Sequence, residues 1–257
     1  MDTAFVSAVE LVPPQAGPDG GRDRRGYPWH LPAIAALSTP LRLDPRVTYL
    51  VGENGSGKST LLEAIAVAAG MNPEGGSSNF AFSTRDSHSG LWEAIRLIRG
   101  RHRPRTDFFL RAESLFTAAT YLDELGKQEE QTPFGSGALL PFGGRSLHEQ
   151  SHGESFLAVM INRFGPQGFY LLDEPEAALS TQNCLTCLRR IHELVAEGSQ
   201  FVIATHSPLI LAYPESAIYV CTERGLEPTT YEDAEPVRLT RSFLDSKDRF
   251  LQRLFAD

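Results

Sequence analysis

The chain has 257 residues, of which 41% are hydrophobic, and this is enough for one large α/β core with room for an inserted lobe. No stretch approaches the roughly 18 consecutive apolar residues of a membrane-spanning helix, and three cysteines, an odd number, disfavour the disulfide framework of a secreted protein. A net charge of −8 disfavours a protein that coats nucleic acid with its whole surface, because such binding depends on neutralising phosphates.

The N-terminal segment MDTAFVSAVELV has no basic region before its apolar residues, unlike a signal peptide. We expect residues 1–12 to add an antiparallel edge strand to a sheet. The missing signal pattern and the cysteine count together predict a cytoplasmic protein.

A buried strand, a glycine-rich loop and a helix follow one another from residue 47 to residue 69. VTYLV at 47–51 has the β-branched and aromatic residues of a strand, and STLLEAIAVAA at 59–69 carries apolar residues on one helical face. Between them, GENGSGKST at 52–60 matches G-x-x-x-x-G-K-[ST], the pattern of a phosphate-binding loop. A chance glycine-rich turn is the alternative, and the flanking strand and helix disfavour it.

The residue types of this loop suit a nucleoside triphosphate. Glycines let backbone N–H groups turn towards phosphate oxygens, and the helix N-terminus adds a favourable field for anions. We expect Lys58 to bring a positive charge to the β- and γ-phosphates and the hydroxyl of Ser59 to coordinate Mg²⁺. The expected nucleotide contacts are Asn54, Gly55, Ser56, Gly57, Lys58, Ser59 and Thr60.

The middle of the chain has helical rather than strand patterns. SGLWEAIRLIR at 89–99 and LRAESLFTAATYLDEL at 110–125 are predicted as helices, and residues 126–148 as an irregular connection rich in Gly and Pro. We therefore expect a helical insert within a single domain. Its core lobe would comprise residues 1–74 and 155–257, and its helical lobe about 75–154.

Six arginines lie between residues 96 and 111 of an otherwise acidic chain. One interpretation is a solvated helix end and loop; the other is a docking surface for an acidic partner or a nucleic-acid backbone. The arginines of the second interpretation are Arg96, Arg99, Arg101, Arg103 and Arg105.

Strands and helices alternate in the second half, which predicts a mostly parallel sheet covered by helices. The segments, in order, are SFLAVMINRF (helix), FYLL (strand), TQNCLTCLRRIHELVAE (helix), FVIAT (strand), AIYVC (strand) and TRSFLDSKDRFLQRLF (helix, 240–255). CLTC has the spacing of a zinc-binding pair, but no second pair accompanies it. Because Cys184 and Cys187 fall on the apolar helical face, we expect them to pack in the core.

Two of these strands end in polar residues that suit phosphate chemistry. In FYLLDEPE, Asp173 and Glu174 follow a buried strand, at the end where open α/β sheets bind ligands. Asp173 would hold Mg²⁺ and Glu174 would polarise the attacking water. FVIATHSP places His206 at the corresponding end of another strand, where a neutral imidazole can bond the γ-phosphate or the water. The phosphate loop, the acids and the histidine should therefore converge.

These motifs together resemble the ATP-binding-cassette (ABC) ATPases, and the resemblance covers nearly the whole chain. The nearest likeness is to the soluble branch with its DNA-repair and chromosome-organising ATPases and predicted AAA-family ATPases. The matching elements are the Walker A loop (residues 52–60), the Walker B strand with its acids Asp173 and Glu174, a D-loop-like AALS at 177–180 and the switch histidine His206. The resemblance implies an ABC-type P-loop fold, α/β with a mostly parallel sheet, an antiparallel edge and a helical lobe, together with ATP and Mg²⁺.

The family also has a signature segment, L-S-G-G-Q/E, shortly before the Walker B strand. Here QSHGE matches it at Ser151, Gly153 and Glu154, while Gln150 and His152 depart from it. In the family this segment acts in trans: two subunits pack head to tail, and each signature covers the ATP of the other. A plain helix start with Ser151 and Glu154 as a capping box explains the same residues, and both interpretations can hold together.

Two further positions depart from the family pattern. Ser180 stands where a D-loop has its last aspartate, and no Q-loop glutamine is identifiable between residues 75 and 100. Transporter ATPases couple to their membrane partner through that glutamine loop, so its absence disfavours a transporter. The aromatic side chain that stacks on adenine in the family is expected at Tyr27 or Trp29.

The resemblance implies an ATP hydrolase that forms a head-to-tail homodimer on binding ATP and acts on a protein or nucleic-acid partner. Two alternatives remain open. One is the ATP-binding subunit of a membrane transporter, and the other is a nucleotide-dependent binding switch in a defence or toxin-like system.

Overall fold

The computed structural model describes residues 4–12, 26–35, 37, 39–73, 75–77, 90–113 and 152–256. Within them the strands are β1 (Val6–Leu11), β2 (Leu41–Arg42), β3 (Val47–Val51), β4 (Ile95–Arg99), β5 (Thr106–Arg111), β6 (Gly168–Asp173), β7 (Gln200–Ala204), β8 (Ala217–Thr222) and β9 (Gly225–Thr229). The helices are α1 (Pro32–Ala35), α2 (Lys58–Ala69), α3 (His152–Arg163), α4 (Thr181–Ala196), α5 (Glu235–Asp245) and α6 (Lys247–Leu254).

The main sheet has six strands in the order β5-β6-β7-β3-β8-β9. The first five run parallel, and β9 pairs with β8 as an antiparallel edge. Every residue of β3, β6 and β7 is buried, as expected for strands with elements on both faces. The predicted mostly parallel sheet with an antiparallel edge is confirmed.

Side chains alternate along the central strands and build one core on each face of this sheet. Tyr170 and Leu172 join the cluster that includes α3 and α4, whereas Phe169 and Leu171 join the cluster that includes α2. The two cysteines of CLTC are buried in the first cluster, which confirms their predicted packing role.

A second, antiparallel sheet of three strands has the order β2-β1-β4. The fully buried side chain of Gln200, on β7, links it to the main sheet. Its Oε1 accepts from the backbone N–H of Phe5 at 2.9 Å and of Val6 at 3.1 Å, and its Nε2 donates to the carbonyls of Val6 and Asp44. The N-terminal strand is thus antiparallel as predicted, but it lies in the middle of this small sheet rather than at an edge.

The predicted helix at 89–99 is wrong. Of the predicted helix at 110–125 the structure describes only residues 110–113, of which 110–111 end β5 and 112–113 are helical. Residues 90–94 form a 3₁₀ turn, and residues 95–99 and 106–111 are the strands β4 and β5. Leu91, Ile95 and Ile98 fit a helical spacing, but Ile95 and Leu97 also alternate as a strand requires, and pairing with β1 decides the outcome. Residues 78–89 and 114–151, which together include most of the expected helical lobe, lie outside the described residues, so the division into lobes stays a prediction.

The predicted C-terminal helix at 240–255 is two helices, α5 and α6, separated at Ser246. α5 begins at Glu235, five residues earlier than predicted, with a proline in its first turn. Across the described ranges no helix has the length and apolar character needed to cross a membrane.

Candidate functional site

Four neighbouring parallel strands bring the candidate residues to one edge of the main sheet. β3 leads into the phosphate loop, β6 ends at Asp173, β7 leads to His206, and β5 ends at Arg111. Backbone bonds hold the strand ends together: the N–H of Glu174 donates to the carbonyl of Ala204 at 2.9 Å. The candidate groups therefore share one edge because consecutive strands in the sheet order are parallel and in register.

The phosphate loop turns sharply before α2. Gly57, the residue before the helix, has a φ of 96°, and a Cβ there would lie 2.9 Å from Cβ of Leu31, so only glycine fits. The side chain of Lys58 folds back over the loop and donates from Nζ to the carbonyls of Gly52 at 2.6 Å and Glu53 at 2.9 Å. Burial lowers the pKa of Lys58. The amino group of Lys58 is thereby held against the backbone of the loop.

The hydroxyl of Ser59 donates to Oδ1 of Asp173 at 2.9 Å, across the gap between α2 and β6. A hydroxyl and a carboxylate beside a phosphate loop are the oxygen donors that Mg²⁺ takes up together with nucleotide phosphates. Asp173 is almost fully buried, so its charge is poorly screened. The residues present therefore fit the ion that the sequence predicts.

Arg111 is a site residue that the sequence reasoning did not identify as such. Its Nε donates to Oδ2 of Asp173 at 2.9 Å, and its Nη1 lies 3.3 Å from Oε2 of Glu63 on α2. The sequence signal for this residue is an apolar run that ends in a charge: FFLR at 108–111 has the same form as FYLLD at 169–173. It was missed because residues 110–125 were predicted as a helix.

Glu174 and His206 face each other from neighbouring strand ends, with Oε1 3.7 Å from Nε2. Glu174 has a φ of 49°, a left-handed conformation that costs a residue other than glycine about 1–3 kcal/mol. Side chains of both residues remain about a third exposed. A carboxylate held this way beside an imidazole can accept a proton from a water molecule.

Glu176 is a second residue that was not predicted. Its carboxylate binds the turn that carries His206: Thr205 Oγ1 donates to Oε2 at 2.7 Å, and the N–H groups of His206 and Ser207 donate to Oε1, the latter at 3.1 Å. The segment DEPE shows a third acid, Glu176, but the partners of this glutamate lie about thirty residues further along the chain. No local pattern could have revealed them.

The signature-like segment is described only in part, because Ser151 lies outside the described residues. Gly153 and Glu154 lie in the first turn of α3, directly after His152. A Cβ on Gly153 would lie 2.9 Å from Nδ2 of Asn183 and 3.1 Å from the carbonyl oxygen of Ala178. The start of this helix therefore packs tightly against the D-loop-like segment of the same chain.

Ser180, which replaces the expected aspartate, caps α4: its side chain accepts a hydrogen bond from the N–H of Asn183 at 3.3 Å. This role is structural and explains the serine without a nucleotide.

Of the two candidate adenine-stacking residues, Tyr27 is the exposed one. Its hydroxyl lies 3.5 Å from Oγ1 of Thr60, so its ring is near the first turn of α2. Trp29 packs against the core cluster on the α2 side of the sheet. The position of Tyr27 suits a contact with the base, whereas the contacts of Trp29 are those of a structural residue.

The six arginines do not form one surface. Arg96 pairs with Glu10 on β1, Arg99 donates to the carbonyl of Ala68 at 3.2 Å, and Arg111 belongs to the site at the sheet edge. Arg96 and Arg99 are exposed on β4 but engaged by these contacts, whereas Arg101, Arg103 and Arg105 are exposed together in the connection between β4 and β5. The docking hypothesis therefore narrows to these three.

A family model described as an AAA domain, putative AbiEii toxin, Type IV toxin–antitoxin system, matches residues 47–112. The match begins with β3 and ends just after Arg111.

Two curated relatives indicate the wider group. The chromosome partition protein Smc of Methanococcus voltae is 31% identical over 113 residues, which cover 40% of this chain and 9% of that protein. The cytochrome c biogenesis ATP-binding export protein CcmA of Agrobacterium fabrum is 30% identical over 176 residues, which cover 65% of this chain and 78% of CcmA. The chain thus spans about a tenth of the Smc length and most of CcmA.

A solved structure of cbiO1 from Clostridium perfringens, part of the ABC transporter complex cbiONQ, is 17% identical with a TM-score of 0.48 and covers 94% of this chain and 95% of its own. Because the match to CcmA combines 30% identity with coverage of 78% of that protein, the chain belongs to the ATP-binding-cassette type of P-loop ATPases.

Proposed function

We infer that this chain binds ATP with Mg²⁺, hydrolyses it, and dimerises head to tail in the ATP-bound state to act on a partner. The observation that carries the proposal is the contact of Ser59 with Asp173 at 2.9 Å, which joins the phosphate loop to the acidic strand end. A strand-loop-helix with a buried lysine next to such a pair of oxygen donors suits a nucleoside triphosphate and a divalent cation.

Each residue has a role in this proposal. Lys58 exchanges its backbone carbonyl contacts for phosphate oxygens, and Ser59 and Asp173 hold Mg²⁺. When bound, Mg²⁺ neutralises developing charge on the phosphates. Glu174 takes the proton of the attacking water, and His206, 3.7 Å away, orients that water or the terminal phosphate. Tyr27 stacks on the base.

The second half of the site comes from another copy of the chain. Ser151, Gly153 and Glu154 cover the nucleotide of the neighbouring subunit, with the helix N-terminus of α3 facing the phosphates. Support comes from the place of this segment, at the start of the helix that precedes the Walker B strand. The three arginines of the connection between β4 and β5, Arg101, Arg103 and Arg105, contact the partner.

Two further candidate roles have specific support. The similarity to CcmA, an export protein by name, favours a subunit of a membrane transporter. The match to a family model described as a putative toxin favours a nucleotide-dependent switch in a toxin-like system. Copurification with a membrane protein would favour the first, and dimerisation on ATP without turnover the second.

The test of ATP binding and hydrolysis compares the wild type with Lys58→Ala and with Lys247→Ala, a matched change of an exposed lysine. Removing the charge of Lys58 should weaken ATP binding about tenfold to a hundredfold, since a hydrogen bond to a charged group contributes about 1.5–3 kcal/mol. Calorimetry measures the affinity and phosphate release the turnover. Unchanged ATP affinity of Lys58→Ala would refute the role of the loop.

A further inference from the structure

Both oxygens of the expected magnesium ligand are engaged by groups of the chain itself. Oδ1 of Asp173 accepts from Ser59, and Oδ2 accepts from Nε of Arg111, each at 2.9 Å. The hydroxyl is itself a ligand for a metal ion, but the guanidinium is not, because it is cationic and has no acceptor atom. Arg111 is therefore a positive charge in contact with the group that should receive a divalent cation.

Strand pairing and a second ion pair together fix the position of the Arg111 side chain. β5 and β6 pair in register with Arg111 opposite Asp173, so the two side chains leave the sheet edge together. The second contact, to Glu63, ties the guanidinium to α2, the helix that begins with Lys58. The side chain of Arg111 is 21% exposed, and those of its partners Glu63 and Asp173 are 18% and 4% exposed. The ion pair is thus held by the fold rather than formed by a loose surface side chain.

Arg111 stays charged at any pH at which the protein is folded. Burial acts to lower its pKa, but the carboxylates of Asp173 and Glu63 raise it overall. A divalent cation at Oδ1 would be close to this charge in a poorly screened environment, and the repulsion would weaken binding of the metal ion alone. Nucleotide phosphates bring several negative charges and acceptor oxygens, which can receive both the metal ion and the guanidinium.

We propose that Arg111 makes metal uptake depend on nucleotide: it excludes a free divalent cation from Asp173 and releases the carboxylate when the phosphates enter. This inference rests on the proposed ATP and Mg²⁺ binding. Arg111 is a positioning residue of the metal site in this scheme, and its effect appears in metal binding before any turnover. Arg111 thereby prevents the nucleotide-free protein from forming a complex with Mg²⁺ alone, which would have no phosphate to react.

Binding of Mn²⁺, which accepts the same oxygen ligands as Mg²⁺, tests this by electron paramagnetic resonance of the free ion. The wild type, Arg111→Gln and the exposed control Arg105→Gln are each titrated with and without a non-hydrolysable ATP analogue. The wild type and Arg105→Gln should bind Mn²⁺ tightly only with the analogue. Arg111→Gln should gain nucleotide-independent binding, with an affinity higher than that of the wild type by about tenfold or more.

Adding Asp173→Asn to Arg111→Gln should remove the gained binding, because the ligand for Mn²⁺ is the carboxylate that loss of the arginine releases. The inference is overturned if Arg111→Gln gains no metal binding without nucleotide, if the gain persists without Asp173, or if the wild type binds Mn²⁺ equally well in both conditions. Absence of Mn²⁺ binding to the wild type even with the analogue would instead refute the proposed function on which the inference rests.

Loss of the arginine removes its contact with Glu63, and this can impair folding. The double variant Arg111→Gln with Glu63→Gln removes both charges and keeps Ser59 and Asp173, so it should show the same gain. Arg111→Lys keeps the positive charge and should bind Mn²⁺ without nucleotide as weakly as the wild type. Equal metal binding by the lysine and glutamine variants would show that charge is not the cause, and would overturn the inference.

Discussion

Oε1 of Glu174 lies 3.7 Å from Nε2 of His206, so the candidate base and the histidine of the neighbouring strand end form a pair at the sheet edge. Changing Glu174 to Gln keeps the size of the side chain but removes its ability to take a proton from water. We expect ATP affinity within a few-fold of the wild type and turnover reduced by about a hundredfold or more. Phosphate release and calorimetry measure the two quantities.

The same variant should accumulate as an ATP-bound dimer, because the step that ends the ATP state is lost. Size-exclusion chromatography with ATP detects that dimer. Glu232→Gln, which changes an exposed glutamate after β9, should behave as the wild type. Near-normal steady-state hydrolysis by Glu174→Gln would remove Glu174 from the catalytic role.

Glu176 holds the turn that contains His206 through three hydrogen bonds, and its loss should act on turnover through that histidine. In Glu176→Gln the amide has one acceptor oxygen, and its NH₂ group faces a donor. We expect kcat to fall about tenfold with little change in ATP affinity, and the free energy of unfolding to fall by about 1.5–3 kcal/mol. Glu176→Asp should recover part of the activity if the contact, rather than the fold, is what matters.

The control for this prediction is Glu197→Gln, at the exposed end of α4. The pH dependence of kcat separates positioning from stability, because a displaced His206 changes the profile whereas a merely less stable protein keeps it. A variant that melts earlier but retains the kcat and pH profile of the wild type would show that Glu176 only stabilises the turn.

The acids at the end of β6 illustrate how much of the site the sequence alone could predict. Asp173 and Glu174 were predicted because a buried apolar strand ends in them, and that signal is local. The contacts of Glu176 join DEPE to a turn about thirty residues away, and those of Arg111 depend on the register of β5 against β6. Such relationships arise from tertiary pairing, which periodicity does not encode.

The same reason explains the missed strands. Leu91, Ile95 and Ile98 have a spacing that an amphipathic helix also shows, so the pattern could not decide between the two structures. Pairing with β1, which lies more than 80 residues earlier, selects the strand. The parallel sheet was predictable because each of its central strands is buried on both faces and reads as a continuous apolar run.

Arg101, Arg103 and Arg105 are exposed together between β4 and β5, and we predict that they bind an acidic partner or a nucleic-acid backbone. Changing all three to Glu should abolish salt-sensitive binding, because each contact to a phosphate or carboxylate depends on charge. Basal ATP hydrolysis should be unchanged. Fluorescence anisotropy with short DNA and RNA, at a low and a high salt concentration, measures the binding.

The matched control reverses three other exposed arginines, Arg224, Arg238 and Arg241, which gives the same change in net charge. It should bind as the wild type does. If both triple variants lose binding equally, the effect is one of total charge. If the wild type shows no salt-dependent binding to DNA, RNA or a copurified protein, the three arginines are a solvated surface.

The last prediction concerns Ser151, which lies outside the described residues and whose role follows from the resemblance of QSHGE to the signature segment. If this segment covers the ATP of the other subunit, Ser151→Phe should leave ATP binding to the monomer nearly intact and abolish ATP-induced dimerisation and hydrolysis.

A mixture of the Ser151→Phe and Lys58→Ala variants sharpens the test. In a mixed dimer one composite site has both lesions and the other has neither. Equal amounts of the two variants should therefore give about a quarter of the number of intact sites in the wild type. If Ser151 only caps a helix, its loss should cost about 1 kcal/mol of stability. The variant alone would then melt slightly earlier and still hydrolyse ATP, and the trans role would be excluded.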